Sequence, residues 1–398
     1  MIKRVKTILL VLLLLTCVSC SREIPKEEPF VEEKSEEIVT EPVITDPIRE
    51  RIANMSLDEK VGMLFIIRPD ALDLNFTIED LGNNKIQGSL SMSEEMIAQY
   101  NKYPPLGFAL FTKNITDEKQ LRDFTKQIHS LDNDPLICID EEGGLVSRIA
   151  NSKIDVEKFP NMEEIAMSGD TYRAYQVGET IGRYLDDFGI DVDFAPVADV
   201  NTNPKNPIIG VRAFGSDPVL AGDMVAEVIK GLRYSHTLSC IKHFPGHGDT
   251  TTDSHLGYAS TDKSWEEMLN VEMVPFIKGI ENKTDMVMVA HITTTNIDSD
   301  NPASLSYELV TNRLRNELNF DGVVITDSMS MGAITNDYDS RDAAIKAIKA
   351  GVDIILLPEN YYEAFDGIKE AINSGEIGMD RIDESIYRIL KLKEHNNQ

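Results

Sequence analysis

Eight short apolar runs, each separated from the next by helical or loop segments, set the strongest constraint on how this chain can fold. They are "GMLFII" (62–67), "LGFALF" (106–111), "LICID" (136–140), "VDFAPV" (192–197), "LSCIKHF" (238–244), "MVMVAH" (286–291), "GVVITD" (322–327) and "DIILLP" (353–358). Near-continuous apolar runs of this length suit parallel strands buried on both faces. Between them lie amphipathic stretches such as "DEKQLRDFTKQIHSLD", "TYRAYQVGETIGRYLDDFG", "PVLAGDMVAEVIKGLRYSH" and "SRDAAIKAIKAG". Several of these end at a glycine or a polar cap. Eight β/α alternations predict a single (β/α)8 TIM barrel with some long loops. A doubly wound open sheet is the competing α/β architecture. No G-x-G-x-x-G follows the first run, which weakens a dinucleotide reading.

A parallel barrel places functional groups at the C-terminal ends of its strands. The third run ends in Asp140 and is followed by "EEGG". The fifth ends in Lys242-His243, the sixth in His291 and the seventh in Asp327. One acid at a strand end means little, because Asp327 before Ser328 can simply cap the next helix. On pattern alone the structural and catalytic readings of Asp327 stand level. The convergence of four ionisable strand ends on one rim is the stronger signal.

The fifth run leads into "KHFPGHGDTTTDSHL", which holds three of the seven histidines. As a metal site it would use His243, His247 and His255, with Asp249 and Asp253 as extra ligands. The spacing H-x3-H-x7-H matches no common zinc pattern. No metal and no organic cofactor are therefore expected. His247, between Gly246 and Gly248, reads as a loop brace, with the glycines letting the loop close and open. His291 is assigned to the pocket wall, Asp199 and Asn201 to a turn. Trp265, in "KSWEEML", sits in a helix-like stretch too far past the motif to be assigned a part in it.

Outside the barrel the chain begins "MIKRVKTILLVLLLLTCVSC", a basic start, an apolar core too short to span a membrane comfortably, then small residues. This resembles a bacterial lipoprotein signal with Cys20 as the lipidated residue, although Cys17 stands where such signals usually carry leucine. A plain cleaved signal or an uncleaved anchor is the blander reading. Residues 21–45 are rich in Glu, Pro and Lys and poor in large apolar side chains, as in a disordered tether. The expected organisation is a signal at 1–20, an acidic linker at 21–45 and the catalytic barrel at 46–398. Cys138 and Cys240 lie in apolar runs and read as buried hydrophobes. A net charge of −28 speaks against nucleic acid as a partner.

Five motifs then occur in order: "IDEEGGLVSR" (139–148), "FAPVADVN" (194–201), "VRAFGSDP" (211–218), "KHFPGHGDTTTDSH" (242–255) and "VVITDSMSMGAI" (323–334). Together they resemble glycoside hydrolase family 3, in particular its bacterial β-N-acetylglucosaminidases, over about residues 50–390. The resemblance implies a retaining mechanism with Asp327 as nucleophile, His255 as acid/base and Asp253 orienting its imidazole. It implies that Asp140, Arg148, Arg212, Lys242 and His243 hold the sugar. The residue types suit these roles. A carboxylate only accepts hydrogen bonds from hydroxyls, Arg and Lys only donate, and a histidine can give and take a proton near neutrality. Many glucosidases of the family carry a second α/β domain with a glutamate acid/base. The chain ends soon after the eighth run, which fits the histidine-dyad subfamily.

The expected protein is thus an exported, membrane-anchored monomer. It hydrolyses terminal β-linked GlcNAc from muropeptides or related oligosaccharides. Competing readings are a β-N-acetylglucosaminide phosphorylase, a glycan-binding surface lipoprotein without activity, and a metal-dependent hydrolase.

Overall fold

The computed structural model describes residues 46–396, apart from 84 and 251–256, with side chains described as far as 394. Asp253 and His255, and Cys20 with the whole leader and linker, lie outside the described residues. Eight strands form one parallel sheet: β1 (Phe65–Ile67), β2 (Gly107–Leu110), β3 (Leu136–Ile139), β4 (Val192–Asp193), β5 (Leu238–Phe244), β6 (Met286–Val289), β7 (Val323–Thr326) and β8 (Ile355–Leu356). Their order is β7-β6-β5-β4-β3-β2-β1-β8. A parallel bridge between Ile325 and Ile354 joins β7 to the start of β8 and closes the ring. The (β/α)8 expectation holds, and every expected strand is present. Every residue of these strands is buried, which explains why the runs lack a polar alternation.

Two runs shorten on folding. In 192–197 regular pairing stops at Asp193, before Pro196, which has no N–H to give to a ladder. Val197 still bridges to Lys242 beyond it. The eighth run keeps only two paired residues ahead of Pro358.

Helices form where expected, and their ends show why. Thr171–Asp187 and Pro218–Tyr234 begin behind Asp170 and Asp217, whose carboxylates accept from the first free backbone N–H groups. Ser340–Ala350 stops at Gly351, whose φ of +115° is open to glycine. Two small additions stand outside the barrel. Glu141–Gly143 pairs antiparallel with Val146–Ser147, and Ala259–Thr261 pairs parallel with Ile292–Thr294. No described helix is long and apolar enough to cross a membrane.

Candidate active site

The C-terminal mouth of the barrel opens on a cavity of about 660 Å³. Asp140, Arg148, Arg212, Lys242, His243 and Asp327 all line it. Six of the residues singled out in the sequence are therefore brought together from three strand ends and two loops.

Asp140 and Glu142 build one wall. They leave β3 two residues apart, so an extended chain turns both toward the same side. Lys242 Nζ lies 2.7 Å from Asp140 Oδ1 and 2.6 Å from Glu142 Oε1. Arg148 Nη2 donates to Asp140 Oδ2 at 2.9 Å. Arg212 grips Glu142 with two parallel bonds, Nε at 2.8 Å and Nη2 at 2.6 Å. Burial works against the charged carboxylates here. The cations overcome it: Lys242 and Arg148 hold Asp140 well below its usual range, and Arg212 with Lys242 holds Glu142 at about 2. Burial likewise opposes the charged Lys242, yet Asp140 and Glu142 raise its pKa above the ordinary lysine value. The wall is thus a fixed lattice of acceptors and donors, the pattern that sorts sugar hydroxyls by position.

Glu141, between them, points the other way and does structural work. Its carboxylate accepts from the backbone N–H groups of Arg148, Ile149 and Ala150 at 2.6, 2.8 and 2.9 Å, and from Tyr184 Oη at 2.9 Å. It folds back the short hairpin that delivers Arg148 to the cavity. Burial pushes its own pKa up.

Asp199 corrects one expectation. It is fully buried and caps no simple turn. Its Oδ2 lies 2.7 Å from His243 Nδ1, and its Oδ1 accepts from the His247 N–H at 2.6 Å. The parallel bridge of Val197 to Lys242 sets the two chain segments in register, so Asp199 orients His243 from behind. Asn201 donates its N–H to the Gly215 carbonyl.

His247 is the brace expected of it. Its Nδ1 contacts Thr250 Oγ1 at 2.6 Å, and burial lowers its pKa. Close packing gives the flanking glycines a reason of their own. A Cβ at Gly248 would sit 1.9 Å from the Val200 carbonyl oxygen, and one at Gly246 would sit 2.8 Å from Glu272 Cγ.

His291 corrects a second expectation. It is buried and does not line the cavity. Its Nδ1 meets Ser304 Oγ at 2.7 Å and its Nε2 donates to the Ser328 carbonyl at 2.9 Å, holding the chain just after Asp327. Asp327 itself is part-exposed in the cavity. Its N–H is tied to the Val289 carbonyl at 2.8 Å and its Oδ1 accepts from the Ser328 N–H at 2.7 Å. Trp265 is buried, with Nε1 donating to Glu317 at 2.7 Å, far from any sugar role. Among the described residues no group of three or more His, Cys, Asp or Glu side chains is arranged to hold a metal ion. Cys138 and Cys240 are buried free thiols.

Residues 56–392 match the Glycosyl hydrolase family 3 N terminal domain. The chain belongs to this family. The family 3 chain is 32% identical over 334 residues to Beta-hexosaminidase A of Pseudoalteromonas piscicida, which covers 76% of this chain and 55% of that protein. It is 36% identical over 261 residues to a beta-hexosaminidase of Hydrogenovibrio crunogenus, covering 63% of this chain and 71% of the relative. A glycoside hydrolase family 3 beta-N-acetylglucosaminidase from a Paenibacillus species superposes with a TM-score of 0.78 at 32% identity, over 86% of this chain and 63% of that one. The family 3 chain therefore spans a little over half of the Pseudoalteromonas protein's length.

Proposed function

We propose that the protein is a retaining β-N-acetylglucosaminidase. It removes terminal β-linked GlcNAc from peptidoglycan fragments or related oligosaccharides. The observation that carries the reading is the placing of Asp327 in the same cavity as the Asp140–Glu142–Arg212–Lys242 lattice. β3 and β7 stand opposite each other in the ring, so a sugar gripped at Asp140 extends toward Asp327. Membership of the family and the names of the relatives support the reaction type and the sugar.

In this mechanism Asp327 attacks the anomeric carbon and forms a covalent glycosyl ester. His255 protonates the departing oxygen, then takes a proton from the incoming water, with Asp253 orienting and charging the imidazole. Asp140, Arg148, Arg212, Lys242 and His243 hold the sugar, and no metal or organic cofactor takes part. The leader and the acidic linker at residues 21–45 support an exported lipoprotein tethered through Cys20, with the barrel at 46–398 outside the cytoplasm.

Release of aryl alcohol from aryl β-GlcNAc glycosides tests the reading. Asp327→Asn lowers kcat by at least about three orders of magnitude while the protein stays folded. A wild-type enzyme that releases nothing from aryl glycosides or muropeptides sinks it.

A further inference from the structure

Lys263 does not line the sugar cavity, and the reaction as described does not use it. It nevertheless joins three separate parts of the chain. Its Nζ lies 2.5 Å from Glu272 Oε1 and 3.3 Å from Asp249 Oδ2. Lys263 itself follows the short strand Ala259–Thr261, and Glu272 immediately precedes the helix Met273–Glu281. Asp249 comes two residues after His247, on the turn behind the cavity. Asp249 and Lys263 therefore bracket the chain that carries the proposed dyad. One stands four residues before Asp253, the other eight residues after His255. Their ion pair brings the two flanks of that chain together.

A lysine pair at an exposed surface fixes little. This one is anchored on Glu272, which is 1% exposed. Lys263 is the one cation paired with Glu272 among the described residues, and the buried Glu272 Oε2 has no hydrogen-bond donor among them. Without Lys263 a buried carboxylate loses its counter-charge. Burial opposes the charged lysine, but Glu272 and Asp249 outweigh it and raise its pKa above the ordinary value. Glu272 also supports the sugar side of the site. A Cβ at Gly246 would stand 2.8 Å from Glu272 Cγ, and the Gly246 N–H donates to the carbonyl of the cavity-lining His243 at 2.8 Å. Asp249 is held from its other side as well. Thr202 Oγ1 donates to its Oδ1 at 3.2 Å, and the Asn203 N–H donates to the adjoining Gly248 carbonyl at 3.2 Å. One carboxylate oxygen is thus fixed by Thr202 and the other by Lys263.

We propose that Lys263 is a positioning residue for proton transfer: anchored on buried Glu272, it holds Asp249 and so fixes the flanks of the chain that carries His255. The inference rests on the glycosidase reading and on the acid/base role proposed there for His255. Lys263 acts through Asp249 and touches no sugar. In the first step an Asp327 oxygen bonds to the anomeric carbon as the glycosidic C–O bond breaks. The proton of His255 goes to the departing oxygen. A sugar alkoxide needs that proton to leave, whereas an acidic dinitrophenolate leaves without it. Misplacing the donor therefore slows one class of substrate and spares the other.

The test uses the full chain with a β-linked GlcNAc disaccharide and the dinitrophenyl β-glycoside of GlcNAc. It compares kcat/KM, which reports the first step on each. Lys263→Met is expected to lower the value for the disaccharide about tenfold or more and to leave that for the dinitrophenyl glycoside within about twofold. Lys263→Arg keeps most of the disaccharide activity. Asp249→Asn breaks the ion pair but leaves Lys263 on Glu272, so it gives the same split even where Lys263→Met fails to fold. Melting temperatures identify the folded variants. An equal loss on both substrates, or no loss on either, in folded Asp249→Asn overturns the positioning role and leaves the glycosidase reading intact. His255→Ala serves as the control. If it shows no split between the substrates, the acid/base role of His255 falls and the inference with it. A wild type that cleaves neither substrate overturns the glycosidase reading itself.

Discussion

At the scale of single residues, the site depends on carboxylates that stay ionised. Glu142 is the sharpest case. Its folded pKa of about 2 lies below the ordinary 4.5, so its contribution to stability is fully present above pH 4.5 and is lost as the pH falls toward 2. Glu142→Gln leaves Arg212 and Lys242 short of a buried partner and costs about 3–5 kcal/mol at neutral pH. Chemical denaturation at a series of pH values checks both points: the gap between wild type and variant narrows between pH 4.5 and 2. Much of this wall was legible in the sequence. Asp140 ends an apolar run, and the two-residue period of an extended chain marks Glu142 as its neighbour, a signal the family motifs alone had passed over. Asp199 and His291 were not legible in the same way. Each orients another residue, His243 in one case and the Ser328 carbonyl in the other. Those partners are supplied by strand register and by a distant loop, neither of which a linear pattern displays.

At the scale of elements, amphipathic spacing and capping aspartates announce the helices, but not how closely they cross. Thr171–Asp187 and Pro218–Tyr234 meet through glycines. A Cβ at Gly178 would stand 2.3 Å from the Val228 carbonyl oxygen, and one at Gly231 would stand 2.3 Å from that of Tyr175. Backbone cannot yield as a flexible side chain does. Gly178→Ala therefore destabilises the fold by about 1–3 kcal/mol through overpacking, despite alanine's better helix propensity. Thermal unfolding of the variant reads this directly, and a rise in melting temperature would contradict it. A clamp at the base of the barrel was equally hidden. Asp353, fully buried, gathers Arg315, Arg388 and Ser385 onto one carboxylate, with Arg388 Nη1 at 3.0 Å and Ser385 Oγ at 2.6 Å. Sequence separation conceals such a cluster, because Arg315, Asp353 and the helix that carries Ser385 and Arg388 lie far apart along the chain.

At the scale of the molecule, the eight-strand ring and its core lie wholly within the barrel segment. A chain beginning at residue 46 is expected to keep the full protein's melting temperature and its activity on soluble aryl glycosides. It leaves the membrane fraction if Cys20 is the anchor, and fractionation with a paired melting curve checks both. The barrel's architecture also bears on its proton chemistry. Thr250 is moored by its carbonyl to Asn203 Nδ2 at 3.2 Å and Asn206 Nδ2 at 3.1 Å, while Ala259–Thr261 is paired to Ile292–Thr294. Asp253 and His255 lie on the chain between these moorings. His255 is four residues from Ala259, so its Cα stays within roughly 14 Å of that point whatever path the chain takes. Loop-closure entropy changes only slowly with length, so the acid/base role proposed for His255 is expected to depend weakly on the length of the segment that carries it. Lengthening the segment by a residue or two should then slow proton delivery gradually, as expected of an intramolecular donor.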